Sequence, residues 1–341
     1  MVDALPVVGR SWPRGAPQAR PDVETVGAIG ERMLEAIETV IDGKAAVIRT
    51  ALVVLFSEGH LLIEDVPGVG KTMLAKSLAA AMSGTVRRIQ FTPDLLPSDV
   101  TGVSVYEPER RVFEFRPGAV FANVVIGDEI NRASPKTQSA LLECMEERQV
   151  TVDGVTYTMD PPFFVVATQN PVEMEGTYPL PEAQRDRFTA QVAMGYPSGD
   201  AELAMLNSHA GGEPLADLEP VTTAAEVAQL TRVVRQVHVA DDVRRYVVDL
   251  VTATRRHPEL RLGASPRAGL QLLRTARAAA ALEGRAYVLP DDVQALAGAV
   301  LSHRLLLSPE AAANRRQPYD IVNELVARVP LPGPGALRRS H

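Results

Sequence analysis

From Leu61 to Ala79 the chain passes from a short apolar run, Leu61-Leu62-Ile63, through Glu64-Asp65-Val66-Pro67-Gly68-Val69-Gly70-Lys71-Thr72 into Met73-Leu74-Ala75-Lys76-Ser77-Leu78-Ala79. Strand, glycine turn, Gly-Lys-Thr and helix in that order are the context a phosphate-binding loop requires, and few folds accommodate it. Backbone N–H groups of such a loop form an anion nest at a positive helix terminus. Asp65, Val66, Pro67, Gly68, Val69, Gly70, Lys71, Thr72 and Met73 make up the expected nucleotide contact. In it Lys71 reaches the β- and γ-phosphates and the Thr72 hydroxyl coordinates Mg²⁺. Gly68 and Gly70 supply backbone freedom and close approach. The pattern asks for glycine where this chain has Asp65. Aspartate tolerates left-handed backbone, so the turn survives provided the charge points away from the phosphates. The bland alternative, a Gly-rich turn that merely caps a helix, explains less of the register.

A chain of 341 residues is comfortable for two domains, each able to bury a core. The net charge of −7 argues against generic nucleic-acid or anionic-membrane binding. With Cys144 as the single cysteine, an intrachain disulfide or cysteine-rich zinc site is excluded, and a reducing cytoplasm is expected. The longest apolar candidate, Ala45 to Phe56, contains Arg49 and is too short to span a membrane. Residues 1–21 read as a disordered tail without a signal peptide's apolar region, with Trp12 exposed in it.

Val26, Ile29, Met33, Ile37 and Val40 mark an amphipathic helix over Asp22 to Ile41, and a second helix over Lys44 to Ser57 precedes the loop. Val86 to Gln90, Ala122 to Ile126, Phe163 to Ala167 and Thr189 to Ala193 read as strands. Ser134-Pro135 starts a helix that runs to about Arg148. Two hairpins are expected, one around Glu107 to Arg111, the other turning at Asp153-Gly154 in a type I′ turn. Alternating strands and helices predict an α/β core with a parallel sheet, whose ligands bind beyond the carboxyl ends of the strands. From about Pro197 the pattern is helical only: Thr223-x-x-Glu226 is a capping box, and Asp241–Ala253, Pro266–Leu282 and Asp291–Leu301 are helices. The division read from the chain is residues 22–197 as nucleotide-binding core with two hairpin inserts, 198–330 as helical lid and 331–341 as a loose tail.

Asp128 and Glu129 follow Val124-Val125-Ile126 at a strand end. ATP hydrolysis needs one acid in the Mg²⁺ shell and another that polarises the attacking water, and these two divide that work as metal ligand and base. Read alone they are a solvated acidic turn. Asn170 ends the neighbouring strand, where its amide can orient the same water; before Pro171 it is also a plausible turn residue. Arg185 and Arg187 are ordinary exposed cations unless a neighbouring subunit's phosphates receive one as an arginine finger, worth roughly 10³–10⁵ in rate. Arg267 stands just inside the helix opened by Ser265-Pro266, a cation at a positive terminus. That placement asks for an anion nearby, a phosphate or an acidic side chain.

Val66-Pro67-Gly68-Val69-Gly70-Lys71-Thr72, Asp128-Glu129-Ile130-Asn131-Arg132-Ala133, Ala167-Thr168-Gln169-Asn170-Pro171, Glu175 to Gln184 and Gly263-Ala264-Ser265-Pro266-Arg267 resemble, in order, the motifs of MoxR-type AAA+ ATPases. The resemblance runs from about Asp22 to Val329. It implies a P-loop NTPase αβα sandwich with five parallel strands and a helical lid, assembled as a homo-oligomeric ring, commonly a hexamer. It implies ATP and Mg²⁺ as cofactors, Asp128 and Glu129 as the Walker B pair, Asn170 as sensor 1, Arg187 as the finger and Arg267 as sensor 2. Arg185 stands where the family pattern has an apolar residue, which leaves two arginines as candidates for the finger.

By that resemblance the function is an ATP-driven, chaperone-like motor that remodels or matures a protein client. Its partner is expected to be a von Willebrand factor A domain protein, because this chain has no such domain. A magnesium-chelatase-like metal-insertion subunit and a nucleotide-gated scaffold are the alternatives. A nucleic-acid motor is disfavoured by the acidic balance.

Overall fold

The computed structural model describes residues 21–170, 178, 180–197, 199 and 214–332. Trp12, Pro171 to Thr177, Pro179 and the expected tails, apart from residues 21, 331 and 332, lie outside them. Helix α1 (Val23–Glu38) is capped by Asp22, whose carboxylate accepts the Thr25 N–H at 2.9 Å. It buries the stripe Val26, Ile29, Met33 and Ile37. Helix α2 (Ala45–Phe56) follows, buried from Ala51 to Phe56.

Five parallel strands form the central sheet: β1 (Leu61–Glu64), β2 (Val86–Gln90), β5 (Val124–Asp128), β8 (Phe164–Gln169) and β9 (Ala190–Val192), in the order β2-β5-β8-β1-β9. Successive residues alternate between two apolar layers. Leu61, Ile63, Val124, Ile126, Phe164 and Val166 face one, while Leu62, Val125, Val165 and Ala167 face the other. Burial on both faces is why β1, β5 and β8 read as continuous apolar runs, whereas β2, Val-Arg-Arg-Ile-Gln, is exposed except at Ile89. The first layer contains α1, α2 and α3 (Lys71–Ala81); the second contains α5 (Pro135–Glu147), with Leu141, Leu142 and Met145.

Between the strands lie the short helix α4 (Pro97–Thr101) and two antiparallel hairpins, β3–β4 (Gly102–Glu107, Val112–Pro117) and β6–β7 (Gln149–Val152, Val155–Thr158). Asp153 and Gly154 have φ of 49° and 78°, the paired left-handed residues of a type I′ turn. The hairpins meet through Phe115 and Tyr157, stacked with centroids 3.9 Å apart.

After the single turn α6 (Glu182–Arg185) and β9, the chain becomes helical: α7 (Ala224–Val234), α8 (Asp241–Arg256), α9 (Pro266–Leu282), α10 (Pro290–Leu301), α11 (Pro309–Ala313) and α12 (Pro318–Arg328). Thr223 caps α7 as expected, but the Glu226 carboxylate accepts from the Thr222 hydroxyl at 2.7 Å. Two small strand contacts interrupt the helices, β10–β11 (Leu260–Leu262 with Leu306–Leu307) and a bridge between His238 and Tyr287. The apolar layer around α1 and α2 continues without a break into Leu250, Leu272, Ala276, Val300 and Ile321. A methyl group at Gly30 would collide with Leu282, so α1 and α9 pack closely there.

His60, just before β1, is buried at the seam between the sheet and α5. Its Nδ1 accepts the Val165 N–H at 3.0 Å and its Nε2 lies 3.0 Å from the Met145 carbonyl. Burial pushes the imidazole down from 6.5 to about 4. Between these values the unfolded chain binds a proton at His60 that the folded chain refuses, so stability is lost as pH falls from about 6.5 towards 4. The melting temperature is therefore expected to drop across that window, and to drop less in His60→Gln. An unchanged pH slope in the variant contradicts the assignment.

Candidate active site

The phosphate-loop residues join the end of β1 to the start of α3. Gly68 and Gly70 have φ of 84° and 92°, the left-handed region that glycine enters at least cost. Gly70 is the N-cap of α3, and no side chain caps that helix. The first-turn N–H groups of Lys71, Thr72 and Met73 therefore have no intrahelical acceptor and face the loop as an anion nest.

Asp65 is not among the residues with positive φ. Its carboxylate accepts the Val66 N–H at 2.7 Å and the Gly195 N–H at 2.6 Å, tying the loop to the segment after β9. The glycine missing from the pattern is not needed at this position, and the Asp65 charge is spent on backbone donors. Lys71 folds back over the loop, its Nζ donating to the Asp65 carbonyl at 2.7 Å. Burial pulls its ammonium below the usual lysine range, against the opposing pull of Asp65, Asp128 and Glu129. Lys71 therefore lies within electrostatic reach of the acidic pair.

Parallel register explains why they meet. Gln90 pairs with Asp128 and Glu64 with Gln169, so the carboxyl ends of β1, β2, β5 and β8 finish at one edge. Asp128 is buried there; its Oδ2 accepts from Arg88 Nε at 2.7 Å and its Oδ1 from the Thr168 hydroxyl at 3.3 Å. Glu129 follows with φ of 59°, a left-handed backbone held by its N–H donating to Thr168 Oγ1 at 3.0 Å. Its carboxylate accepts from Gln90 Nε2 at 2.8 Å and pairs with Arg132 at 3.3 Å. Asn170 is buried immediately beyond β8, at this same edge. Arg88, Gln90 and Thr168 were not singled out from the sequence. The period-two spacing of Arg88 and Gln90 on β2 is the signal that could have found them.

An oxygen set of one hydroxyl, Thr72, and one buried carboxylate, Asp128, suits Mg²⁺, which takes few protein ligands and completes its shell with phosphate and water. No group of three or more His, Cys, Asp or Glu side chains that could hold a metal occurs among the described residues.

Arg187 and Arg267 lie elsewhere. Arg187 precedes β9, where Thr189 N–H donates to the His60 carbonyl at 2.8 Å, at the amino edge of the sheet. Its Nε pairs with Glu146 of α5 at 3.2 Å, and Arg267 of α9 pairs with the same carboxylate. From His60 to Asp65 the chain advances five extended residues, roughly 16 Å. Both arginines therefore stand a strand's length from this chain's own phosphate loop. The anion that Arg267 needs beside a helix N-terminus is Glu146. Arg185 and Arg187 are both half-buried; the Arg185 Nε is buried without an acceptor among the described residues, whereas Arg187 pairs with Glu146.

The backbone around Arg187 is clamped by the lid. Arg304, 1% exposed, donates through Nε to Asp186 at 2.8 Å, through Nη1 to the Thr189 carbonyl at 3.3 Å and through Nη2 to the Phe188 carbonyl. The Ser265 hydroxyl, at the N-cap of α9, donates to Asp186 at 2.9 Å. Burial lowers the Arg304 guanidinium to about 10, still protonated at neutral pH. Sequence reasoning missed Glu146 and Arg304, because an acid near a helix end and an arginine after a helix both look like solvated charges.

Residues 60–190 match the ATPase family associated with various cellular activities (AAA), and residues 252–325 match the AAA lid domain. The chain is 50% identical over 301 residues to the uncharacterized protein YeaC of Bacillus subtilis, covering 88% of this chain and 94% of that one. It is 40% identical to chaperone MoxR1 of Mycobacterium tuberculosis, covering 94% and 86%. Protein MoxR of Paracoccus denitrificans is 33% identical, covering 87% and 94%. A crystal structure of a candidate ATPase from Cytophaga hutchinsonii superposes with a TM-score of 0.84 at 37% identity, covering 90% of this chain and 96% of that one. On these family matches and near-full-length relatives, this chain belongs to the MoxR family of AAA+ ATPases.

Proposed function

We propose that this chain hydrolyses ATP as a subunit of a head-to-tail ring and uses the cycle to remodel or mature a partner protein. The observation that carries the reading is the separation of the two edges, phosphate loop and acids at one, Arg187 and Arg267 at the other. An edge that presents Arg187 and Arg267 and an edge that holds nucleotide phosphates are complementary between copies of the chain. Heterologous contacts of that kind close into rings when the rotation allows; six subunits is the number the family resemblance implies.

In this reading Lys71 and the loop N–H groups hold the β- and γ-phosphates, while Thr72 and Asp128 would hold Mg²⁺, which would supply positive charge against that developing on the phosphates. Glu129 accepts a proton from the attacking water, and Asn170 orients that water. Arg187, as the finger, and Arg267 come from the adjacent subunit and meet the charge that builds on the transferred phosphoryl group. Arg88 and Gln90 hold the two acids between turnovers. The name chaperone MoxR1 carried by a 40% identical relative supports the remodelling role. A von Willebrand factor A domain protein is the proposed partner, and the cytoplasm the proposed compartment. Among the described residues, no helix is long and apolar enough to cross a membrane.

Glu129→Gln is expected to bind ATP normally in calorimetry while turnover falls by about 10²–10⁴, the range for a general base; wild-type turnover in the purified variant would falsify the base role. Arg187→Ala is expected to keep ATP affinity and lose roughly 10³-fold in turnover. Mixing it with Glu129→Gln should restore part of the activity, because some interfaces then combine an intact base with an intact finger. Absence of rescue in rings whose mixing is verified counts against a finger supplied by the neighbour.

A further inference from the structure

The amino edge of the sheet opens into a cavity of about 680 Å³ between core and lid. Its lining carries Arg148, Arg187, Arg235, Arg267, Arg274 and Arg277 against only two carboxylates, Glu58 and Glu146. The two acids differ in what they do. Glu58 ties Arg148 at 2.9 Å and Arg235 at 2.5 Å, neither of which has a role in the reading above. Glu146 is shared by the two arginines that do: Oε2 pairs with Arg187 and Oε1 with Arg267. Arg277 adds further uncompensated charge, its Nε buried without an acceptor among the described residues.

We infer that Glu146 is an internal stand-in for phosphate: it holds Arg187 of the core and Arg267 of the lid together in the free subunit, and a neighbouring subunit's nucleotide phosphate displaces it when the ring closes. The inference rests on the head-to-tail reading proposed above and adds a regulatory residue to it.

Three physical points favour displacement over a permanent structural pairing. First, Glu146 sits in the last turn of α5, at the negative end of the helix dipole, and no basic residue occupies that turn. A carboxylate is disfavoured there except for what the two arginines give it. Second, one carboxylate offers a single charge and two oxygens to two guanidinium groups, whereas a terminal phosphate offers more charge and three oxygens in a geometry that suits paired arginines. Third, all three side chains are about a third exposed, Arg187 at 30%, Glu146 at 35% and Arg267 at 38%. Ion pairs that wet contribute little, so exchanging them is cheap. The backbone that carries Arg187 stays clamped through Asp186 and Arg304, so only the side chain has to move.

Glu146 is therefore a positioning residue whose charge competes with assembly. The test is ATP-dependent self-association, followed by sedimentation velocity over a protein concentration series in a Glu129→Gln background that does not consume the nucleotide. Glu146→Gln is expected to lower the concentration at half-assembly roughly three- to tenfold, as expected for removing two partly exposed pairs. In a background that also carries Arg187→Ala and Arg267→Ala, with folding checked by thermal melting, the same substitution is expected to shift nothing. An unchanged or raised half-assembly concentration overturns the inference, because Glu146 then either does nothing or helps to present the arginines. An equal shift without the arginines overturns it too. Failure of every variant to associate with ATP removes the ring reading itself and this inference with it. A second measurement avoids the multiple variants: with Glu129 intact, Glu146→Gln should reach half-maximal turnover per subunit at a lower protein concentration than wild type, and the same or a higher concentration contradicts the inference.

Discussion

A parallel sheet has two unlike edges, and almost everything functional in this molecule follows from that polarity. Every strand delivers its carboxyl end to one side, so a loop after β1, an acidic pair after β5 and Asn170 after β8 arrive together without being near in sequence. Helices return the chain to the other side, where Glu146, Arg187 and Arg267 collect. The sheet thus holds the phosphate-loop residues and the Arg187–Arg267 pair a strand's length apart. In the proposed head-to-tail ring, two copies bring them together.

What prevents the arginine edge from drifting is the lid. Arg304 and Asp186 form an ion pair almost out of solvent, joined by backbone carbonyls at Thr189 and Phe188 and by Gln271. Buried pairs recover their desolvation cost only when the remaining donors are satisfied, as the guanidinium is here. Breaking one partner is costly, about 3–5 kcal/mol in comparable cases, so the clamp couples the lid to residues 186–189. The apolar layer that runs from α1 through α9 to α12 reinforces this coupling.

Local patterns in the sequence made much of this legible. Gly68, Gly70 and Lys71 could be placed because a phosphate loop is a contiguous motif between two elements. Asp128 and Glu129 could be placed because a buried strand ends where its apolar run ends. The Asp153-Gly154 turn was readable from two residues. Partners distant in sequence were not readable. Asp65 is explained by Gly195, 130 positions away, and Glu146 by arginines on two other elements. The conflict at Arg267, a cation at a positive helix end, signalled a missing anion; only the fold identified it as Glu146. His60 gave no signal, since nothing local to it foretells burial against Met145 and Val165.

In the proposed ring the reacting centre is shared between two copies, with the arginines of one facing the phosphates of the next. An electron-microscopy reconstruction of the Glu129→Gln protein with ATP and Mg²⁺ tests it directly. The account predicts a ring in which Arg187 Nη lies at hydrogen-bond distance, about 2.7–3.2 Å, from the adjacent subunit's terminal phosphate. Arg187 at its own subunit's nucleotide, or still on Glu146 in a nucleotide-filled ring, contradicts it.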